Sequence, residues 1–411
     1  MSVALLNAVE REKESMLQLL ESLVRTNAIG PDSGGPGEWA RARLLLPLLK
    51  AMPFDEVWVE EVPDGRVAEG SRPNILALKK GPAHGGTLWL VAHLDTVPPG
   101  DLNLWNGDPY VPRREGGKLY GLGSEDNGQS LVGSMTAVRL ALSQGRKLRM
   151  GIGLMLVADE EVGSDKGIKS LIDRGLFSKK DVFIVPDHGV ADGGEIEVAE
   201  KHILWLRLSV KGRQSHASLP GKGLNASRVS IQLRAALLNM LPLRFGGLDP
   251  IFEPPTSTFE PTKHLANVQN INTIPAEDVS FLDMRILPTF NVDEVLASVK
   301  EMAAGFAQAS GAEIAVDIMQ MTKSAPASDI HSECYLTLAQ AVEEVRGRKP
   351  KAVGIGGGTC ANIFRQHGYP SYAWQTVEEM MHSPNEYCVI ENLVRDAKVF
   401  ALVLERSCLE K

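Results

Sequence analysis

Three short apolar runs in the first half of the chain end in carboxylates and histidines, and this restricts the fold more than any other feature. Thr87-Leu-Trp-Leu-Val-Ala leads into His93-Leu-Asp95, Gly153-Leu-Met-Leu-Val-Ala into Asp159-Glu160-Glu161, and Asp181-Val-Phe-Ile-Val-Pro into Asp187-His188. Runs this short and apolar read as strands buried on both faces, the condition of an α/β sheet covered by helices on either side. Ligand sites in such sheets form at the carboxyl ends of the strands, where the polar residues lie here.

The spacing predicts strands at Glu56–Val62, Asn74–Lys79, Thr87–His93, Met150–Ala158 and Asp181–Pro186, with helices over Glu38–Ala51, Gln129–Gln144 and Lys166–Arg174. Leu5, Val9, Met16, Leu19, Leu20 and Leu23 follow helical spacing and predict one amphipathic surface helix at the start. After about residue 200 the pattern changes. A half-buried strand His202–Gly212, a helix Asn225–Leu241, two strands Leu265–Ile274 and Val279–Leu287 joined by a turn at Pro275, a helix Asp293–Gln308 and a strand Ile314–Met319 give the order βαββαβ of ferredoxin-like domains. The α/β texture then returns with helix Glu333–Arg346, strands Ala352–Ile355 and Ser371–Gln375, and helix Glu391–Glu405. The expected organisation is therefore a first domain in two parts, 1–199 and 320–411, with 200–319 inserted between them.

A length of 411 residues suits about two domains. The net charge of −8 argues against a nucleic-acid or membrane-surface partner, because both need a basic face. No stretch reaches the roughly 18 apolar residues that cross a bilayer. The N-terminus is interrupted by charges and does not read as a signal peptide. Cys334, Cys360, Cys388 and Cys408 form no C-x-x-C pair. They read as thiols in a reducing compartment, so the expected location is the cytoplasm.

Alternation along a strand puts His93 and Asp95 on one side, where a carboxylate can orient a ligating imidazole. Asp126, in Gly121-Leu-Gly-Ser-Glu-Asp126-Asn-Gly, sits just before a helix. Asp159, Glu160 and Glu161 repel one another unless a cation offsets the cost. Glu160 and Glu161 point in different directions, so one can ligate while the other handles a proton. His382 follows a late strand. Each has a plainer reading alone: a structural histidine, a helix N-cap, a solvated loop. Together, His93, Asp126, Glu161, Asp187 and His382 are a hard donor set without thiolate, suited to Zn²⁺, Mn²⁺ or Co²⁺ and not to a structural zinc knot.

His93-Leu-Asp-Thr-Val-Pro, Gly121-Leu-Gly-Ser-Glu-Asp-Asn-Gly, Asp159-Glu-Glu-Val-Gly-Ser and the late His382, in this order and spacing, resemble the M20 metallopeptidases. That group includes carboxypeptidase G2-like enzymes, acetylornithine deacetylase and succinyl-diaminopimelate desuccinylase. The resemblance implies a zinc-exopeptidase-like mixed sheet sandwiched by helices, with the ferredoxin-like insertion serving as lid and dimerisation domain. It implies two divalent ions, zinc first with cobalt or manganese as alternatives, about 3.5–4 Å apart. His93, Asp126 and Asp187 would hold one ion, and Asp126, Glu161 and His382 the other. Asp95 would orient the site and Glu160 act as general base. In the insertion, His216 would stabilise an oxyanion, Asn272 corresponds to a lid asparagine, and Arg285 would bind a substrate carboxylate. For Arg285 the plainer reading is a salt bridge to Asp283 or another neighbour. Gly357, Gly358 and Thr359 resemble a substrate loop. The implied reaction is hydrolysis of an amide or peptide bond in a small N-acyl amino acid or short peptide, by a homodimer.

The sequence departs from the family at Leu122, where many members carry Arg, and at Gly128-Gln129, where many carry Lys-Gly. His188 stands beside Asp187 as a competing ligand. A catalytically silent binding protein on the same fold is the alternative, disfavoured by the presence of both Asp95 and Glu160. A nucleotide-dependent oxidoreductase rests on the glycine stretch 356–361 alone. No G-x-S-x-G elbow points to serine hydrolysis.

Overall fold

Strands form where the apolar runs are continuous. Thr87–His93 lies parallel to Gly151–Val157, with Thr87 opposite Gly151 and His93 opposite Val157, and parallel also to Val182–Gly189 on its other side. The carboxyl ends of all three strands therefore lie at one edge of the sheet. The computed structural model describes residues 2–410. The full sheet has eight strands, in the order Glu56–Pro63, Ser71–Lys79, Gly151–Val157, Thr87–His93, Val182–Gly189, Ser371–Gln375, Glu195–Glu200, Lys351–Ile355. It is mixed: Ser71–Lys79 runs antiparallel to both its neighbours.

The chain forms two compact units. One comprises residues up to 198, 327–353 and from 359 onward; the other comprises 199–326 and 354–358. In the first, one sheet face carries an aromatic cluster. Phe183 stacks on Phe364 with centroids 3.8 Å apart, and Phe177 meets Phe183 edge-on at 5.3 Å. Each fully buried ring of this kind contributes about 1.5–3 kcal/mol. Gly153 leaves room for Trp89, since a Cβ there would lie 2.2 Å from the indole. Helix Ser130–Ser143 packs on Thr87–His93, and on it packs Ile390–Cys408. The helix Ser130–Ser143 is buried over nearly its whole length, which suits its mostly apolar and small residues; Arg139 is the charged exception and pairs with Glu12 at 2.7 Å.

Outside the inserted sheet, three features differ from expectation. The N-terminal helical pattern forms two helices, Ser2–Arg11 and Lys13–Val24, with Leu5, Val9, Met16, Leu20 and Leu23 buried. Glu195–Glu200 is a sheet strand although three of its residues are glutamates; Glu197 is fully buried against Arg365 at 2.7 Å. A small sheet, Arg113–Glu115, Lys118–Tyr120 and Tyr387–Val389, pairs Tyr120 with Tyr387 and so brings a segment near the end of the chain beside Gly121. Among the described residues no helix is long and apolar enough to cross a membrane, and the four cysteines are free.

The second unit has a four-stranded antiparallel sheet in the order Thr258–His264, Glu277–Ile286, His202–Lys211, Glu313–Thr322, with helices Ala226–Phe245 and Val292–Ser310. This is the ferredoxin-like strand order. Leu204, Leu206, Leu208, Leu282 and Met284 face the helices as one core. The strand expected over Leu265–Ile274 lies earlier, at Thr258–His264, because Phe259 fills the core while 265–272 is exposed apart from Val268. Only Thr273–Ile274 of that stretch is extended, pairing with Ser215–His216.

Behind the strand ends of the first unit lies a buried ionic network. Arg72 donates to Glu38 at 2.6 Å through Nε and to Asp159 at 3.2 Å through Nη1, and none of the three is more than slightly exposed. Removing one partner of a buried network leaves an uncompensated charge. Arg72→Met is therefore expected to lower unfolding free energy by about 3–5 kcal/mol, read as a reduced urea midpoint at unchanged slope. A loss under 1 kcal/mol would show that Glu38 and Asp159 do not depend on Arg72.

Candidate metal centre

The edge formed by the parallel strands gathers the charged side chains. His93 is buried at the end of its strand. Its Nδ1 lies 3.1 Å from the Asp95 carbonyl and 3.5 Å from the Asp95 carboxylate, while Nε2 lies 2.8 Å from Asp126 and 3.6 Å from Asp187. The second oxygen of Asp126 lies 3.3 Å from His382 Nε2, which is also 3.0 Å from Glu161. Asp126 thus stands between the two imidazoles. Donor atoms of His93, Asp126 and Glu161 lie within 4.8 Å of one another, as do those of His93, Glu160 and Asp187. Glu161 Oε1 is buried with no hydrogen-bond partner. A carboxylate oxygen in that position, among nitrogen and oxygen donors only, fits a divalent cation.

Local backbone explains how neighbours in sequence reach different surroundings. Asp159 adopts a left-handed conformation, φ 67°, and starts a tight turn, Glu160–Val162. Asp95 accepts from the N–H groups of Glu160 and Glu161, both at 3.1 Å, so it caps this turn while facing His93. Asp159 turns back to Arg72, Glu161 turns to His382, and the Glu160 carboxylate lies 3.8 Å from the Cys360 thiol. Asp126 and Asn127 leave helical torsions (φ −108°, ψ 99° and φ −117°, ψ 24°), and the following helix begins after Gln129. Asp126 is therefore not a helix cap. Asn127 donates to Asp187 at 3.1 Å and to the Pro186 carbonyl at 2.7 Å, fixing Asp187. His382 has φ 56° and is exposed.

Crowding dominates the electrostatics. Burial, reinforced by Asp187, holds the Glu160 carboxyl well above its usual range, and burial with Asp126 pushes Glu161 up to about 7. Burial also raises Asp187. Hydrogen bonds to Asp126 and Glu161 push His382 up to about 10. Burial alone would lower His93, but hydrogen bonds to Asp126, Asp187 and Asp95 raise it. A divalent cation relieves the same repulsion that these protons relieve.

Sequence reasoning missed the supporting layer. Glu386 accepts from the N–H groups of Gly123, Glu125 and Asp126, and Glu125 accepts from those of Glu378 and Met380. Glu38, Arg72 and Cys360 were missed as well. Their partners are distant in sequence, so no local spacing announces them. His188 has its Nε2 buried without a partner, and it belongs to neither donor group.

The remaining candidates lie elsewhere. In the second unit, exposed His216 accepts at Nδ1 from the Ser218 N–H at 3.2 Å, with the Ser218 hydroxyl at 2.7 Å; the N–H contact assigns the ring proton to Nε2. The Asn272 carbonyl accepts from the Ala217 N–H at 2.8 Å, on the ribbon that carries His216. Arg285 forms a fork with Asp283 at 2.7 and 3.0 Å and donates to the Gly356 carbonyl at 2.6 Å. Three of its five N–H groups are thus engaged and two remain. Gly357 and Gly358 are exposed in this unit. Thr359, in the first unit, caps helix Cys360–Gln366 by accepting from the Ala361 N–H at 3.1 Å.

The chain is similar to known proteins over most of its length. The profile of peptidase family M20/M25/M40 matches residues 89–406. The chain belongs to this family. An uncharacterized metallohydrolase of Methanocaldococcus jannaschii is 35% identical over 408 residues, covering 95% of this chain and 99% of that one. A succinyl-diaminopimelate desuccinylase of Gluconacetobacter diazotrophicus is 27% identical, covering 95% and 96%. Among solved structures, human carnosine dipeptidase 1 superposes with a TM-score of 0.72 at 19% identity, covering 98% of both chains. This M20 protein is a metal-dependent hydrolase acting on C–N bonds.

Zn²⁺, Mn²⁺ or Co²⁺ added to metal-free protein is expected to raise its melting temperature. A ligand at 100 times its dissociation constant stabilises the folded state by about 2.7 kcal/mol. An unchanged melting temperature with all three ions would contradict a metal centre here.

Proposed function

We propose that the chain is a two-metal exopeptidase or N-acyl amino-acid amidohydrolase, taking a small substrate with a free carboxylate. The observation that carries this is Asp126, whose two oxygens face His93 on one side and His382 on the other. His93, Asp126 and Asp187 would hold one cation; Asp126, Glu161 and His382 would hold the other. When bound, the pair polarises the scissile carbonyl and makes water a better nucleophile. Zinc is the expected ion, with cobalt or manganese as substitutes. Four free cysteines are consistent with the cytoplasm.

Glu160 is the general base. It takes a proton from the attacking water and delivers it to the leaving amine, so the carboxylate is restored each turn. Asp95 fixes the backbone of Glu160 and the ring of His93 together, tying the base to a ligand. Arg285, oriented by Asp283 and Gly356, retains two N–H donors to read the substrate carboxylate. Gly357, Gly358 and Thr359 form a substrate loop, and Asn272 contributes from the His216 ribbon. The desuccinylase relative and the carnosine dipeptidase neighbour are consistent with acylated amino acids and dipeptides as substrates.

The second unit serves as lid and dimerisation domain, and His216 acts on the partner's substrate. With Nδ1 accepting from Ser218, its Nε2–H donates to the oxyanion that forms only in the transition state.

A screen over N-acyl amino acids and dipeptides with added Zn²⁺, Mn²⁺ or Co²⁺ tests the reaction class. Chelation should abolish hydrolysis and metal restore it. Glu160→Gln should reduce kcat about 10²–10⁴-fold with both metals retained. Loss of a metal in this variant, with turnover per metal unchanged, would exchange the roles of Glu160 and Glu161.

Subunit complementation tests His216. Glu160→Ala and His216→Ala should each be nearly inactive, and their co-expression should recover activity in mixed dimers. No recovery in dimers shown to be mixed would place His216 in service of its own chain or of none.

A further inference from the structure

The loops that carry Asp126 and His382 come from the first and the last segments of the first unit, and each presents a buried carboxylate to the backbone of the other. Glu386, 1% exposed, accepts from the N–H groups of Gly123 at 2.7 Å, Glu125 at 2.8 Å and Asp126 at 3.0 Å. Glu125, also 1% exposed, accepts from the N–H groups of Glu378 at 2.7 Å and Met380 at 2.8 Å. The Gly121 N–H donates to the Glu386 carbonyl at 3.0 Å, and Tyr120 pairs with Tyr387, closing the far end of the junction.

Neither loop is held by regular structure of its own. Asp126 and Asn127 leave helical torsions, and the other loop has left-handed Glu379, His382 and Asn385 at φ 60°, 56° and 62°. Conformations like these persist where surrounding contacts over-determine them. Here those contacts are five bonds from backbone N–H groups to carboxylates, which are shorter and stronger than neutral ones. Two more buried acids beside an acidic centre add repulsion. Glutamine would fill the same volume without that charge, but it would turn one oxygen into a donor facing an N–H. The carboxylate form is what lets each side chain accept from every N–H it meets.

We propose that Glu125 and Glu386 form a reciprocal clasp that sets the distance between Asp126 and His382. They are positioning residues for the cation which those two ligands share, an inference that rests on the two-metal reading above. Glu386 acts directly on the Asp126 backbone, and Glu125 acts on Glu378 and Met380 in the loop that carries His382. Damage to either should loosen the same cation.

The test is titration of the metal-free full-length protein with Co²⁺ alone, followed by its visible absorption bands and by elemental analysis. Glu125→Gln and Glu386→Gln are each expected to weaken one of two Co²⁺ ions about 10–100-fold and to alter its bands. The double variant should lose less than the product of the single losses, because both act on one spacing. Glu386→Asp keeps the charge with shorter reach and should weaken binding less than the glutamine. Thermal melts of the metal-free variants separate positioning from structure. Lower melting temperatures with Co²⁺ affinity within twofold of the parent, or failure of all variants to fold, would overturn the clasp in favour of a structural role. If the unsubstituted protein binds no Co²⁺, the two-metal reading fails and the clasp falls with it. If it binds two and the folded variants bind equally well, only the clasp fails.

Discussion

Repulsion among Asp126, Glu160, Glu161 and Asp187 is the interaction around which the first unit is arranged. These carboxylates converge at the carboxyl ends of parallel strands, with Asp126 and Asp187 both facing His93 Nε2. Water would separate them; burial forces them together and drives Glu160, Glu161 and Asp187 upward in pKa. The fold answers with cations behind the site. Arg72 binds Glu38 and Asp159. Arg41, fully buried, donates to the carbonyls of Leu94 at 2.9 Å and of Thr26 and Leu23 at 3.2 Å. Burial brings Arg41 down to about 10 although Asp95, Glu386 and Glu38 all favour its charged form. Its grip on Leu94, between His93 and Asp95, ties the main chain of the ligand strand to positive charge.

The triple acid Asp159-Glu160-Glu161 shows how one local pattern divides into separate tasks. A strand end followed by a left-handed residue changes the direction of the chain at each step. Asp159 points back into the ionic network, Glu160 toward Cys360 and Glu161 toward His382. Three acids of nearly the same chemical type thus meet three different environments. Asp95 keeps this division in place, because one carboxylate accepts from both of the following N–H groups and faces the His93 ring.

The strand ends were legible because apolar runs and the polar residues that stop them are local. Thr87–His93 and Ser371–Gln375 form with the expected limits, and His93, Glu161 and Asp187 converge because parallel register aligns strand ends, while Asp126 and His382 arrive from loops. What was not legible depends on distant partners. No strand is expected over Glu195–Glu200, and three glutamates in six residues become compatible with a buried strand only once Arg365 is known to meet Glu197. The second strand of the inserted sheet slipped toward Leu265 because local hydrophobicity could not reveal that Phe259 fills the core. Glu125 and Glu386 lie inside the motifs that suggested the site, yet their roles concern backbone groups far along the chain. Arg285 shows the opposite limit: the expected pairing with Asp283 and the proposed reading of a substrate carboxylate use different N–H groups and are compatible.

The departure at Gly128-Gln129 has a physical explanation in the same region. A Cβ on Gly128 would lie 2.4 Å from the Gly123 carbonyl and 2.6 Å from Leu20, so this loop closes more tightly than any side chain at 128 allows. Gln129 then takes up the bonding: its amide donates to the Thr376 carbonyl at 2.9 Å and to Asp396 at 2.8 Å, and it accepts from Cys388 at 3.1 Å. Asp396 also accepts from the Thr376 N–H and hydroxyl. A lysine at 128 together with a glycine at 129 would remove this anchor and reopen the turn, which makes the pair a coupled change. Asp126 thus sits on a compact loop braced through Gln129 and through Glu386. With this loop around it, Asp126 stands between His93 and His382.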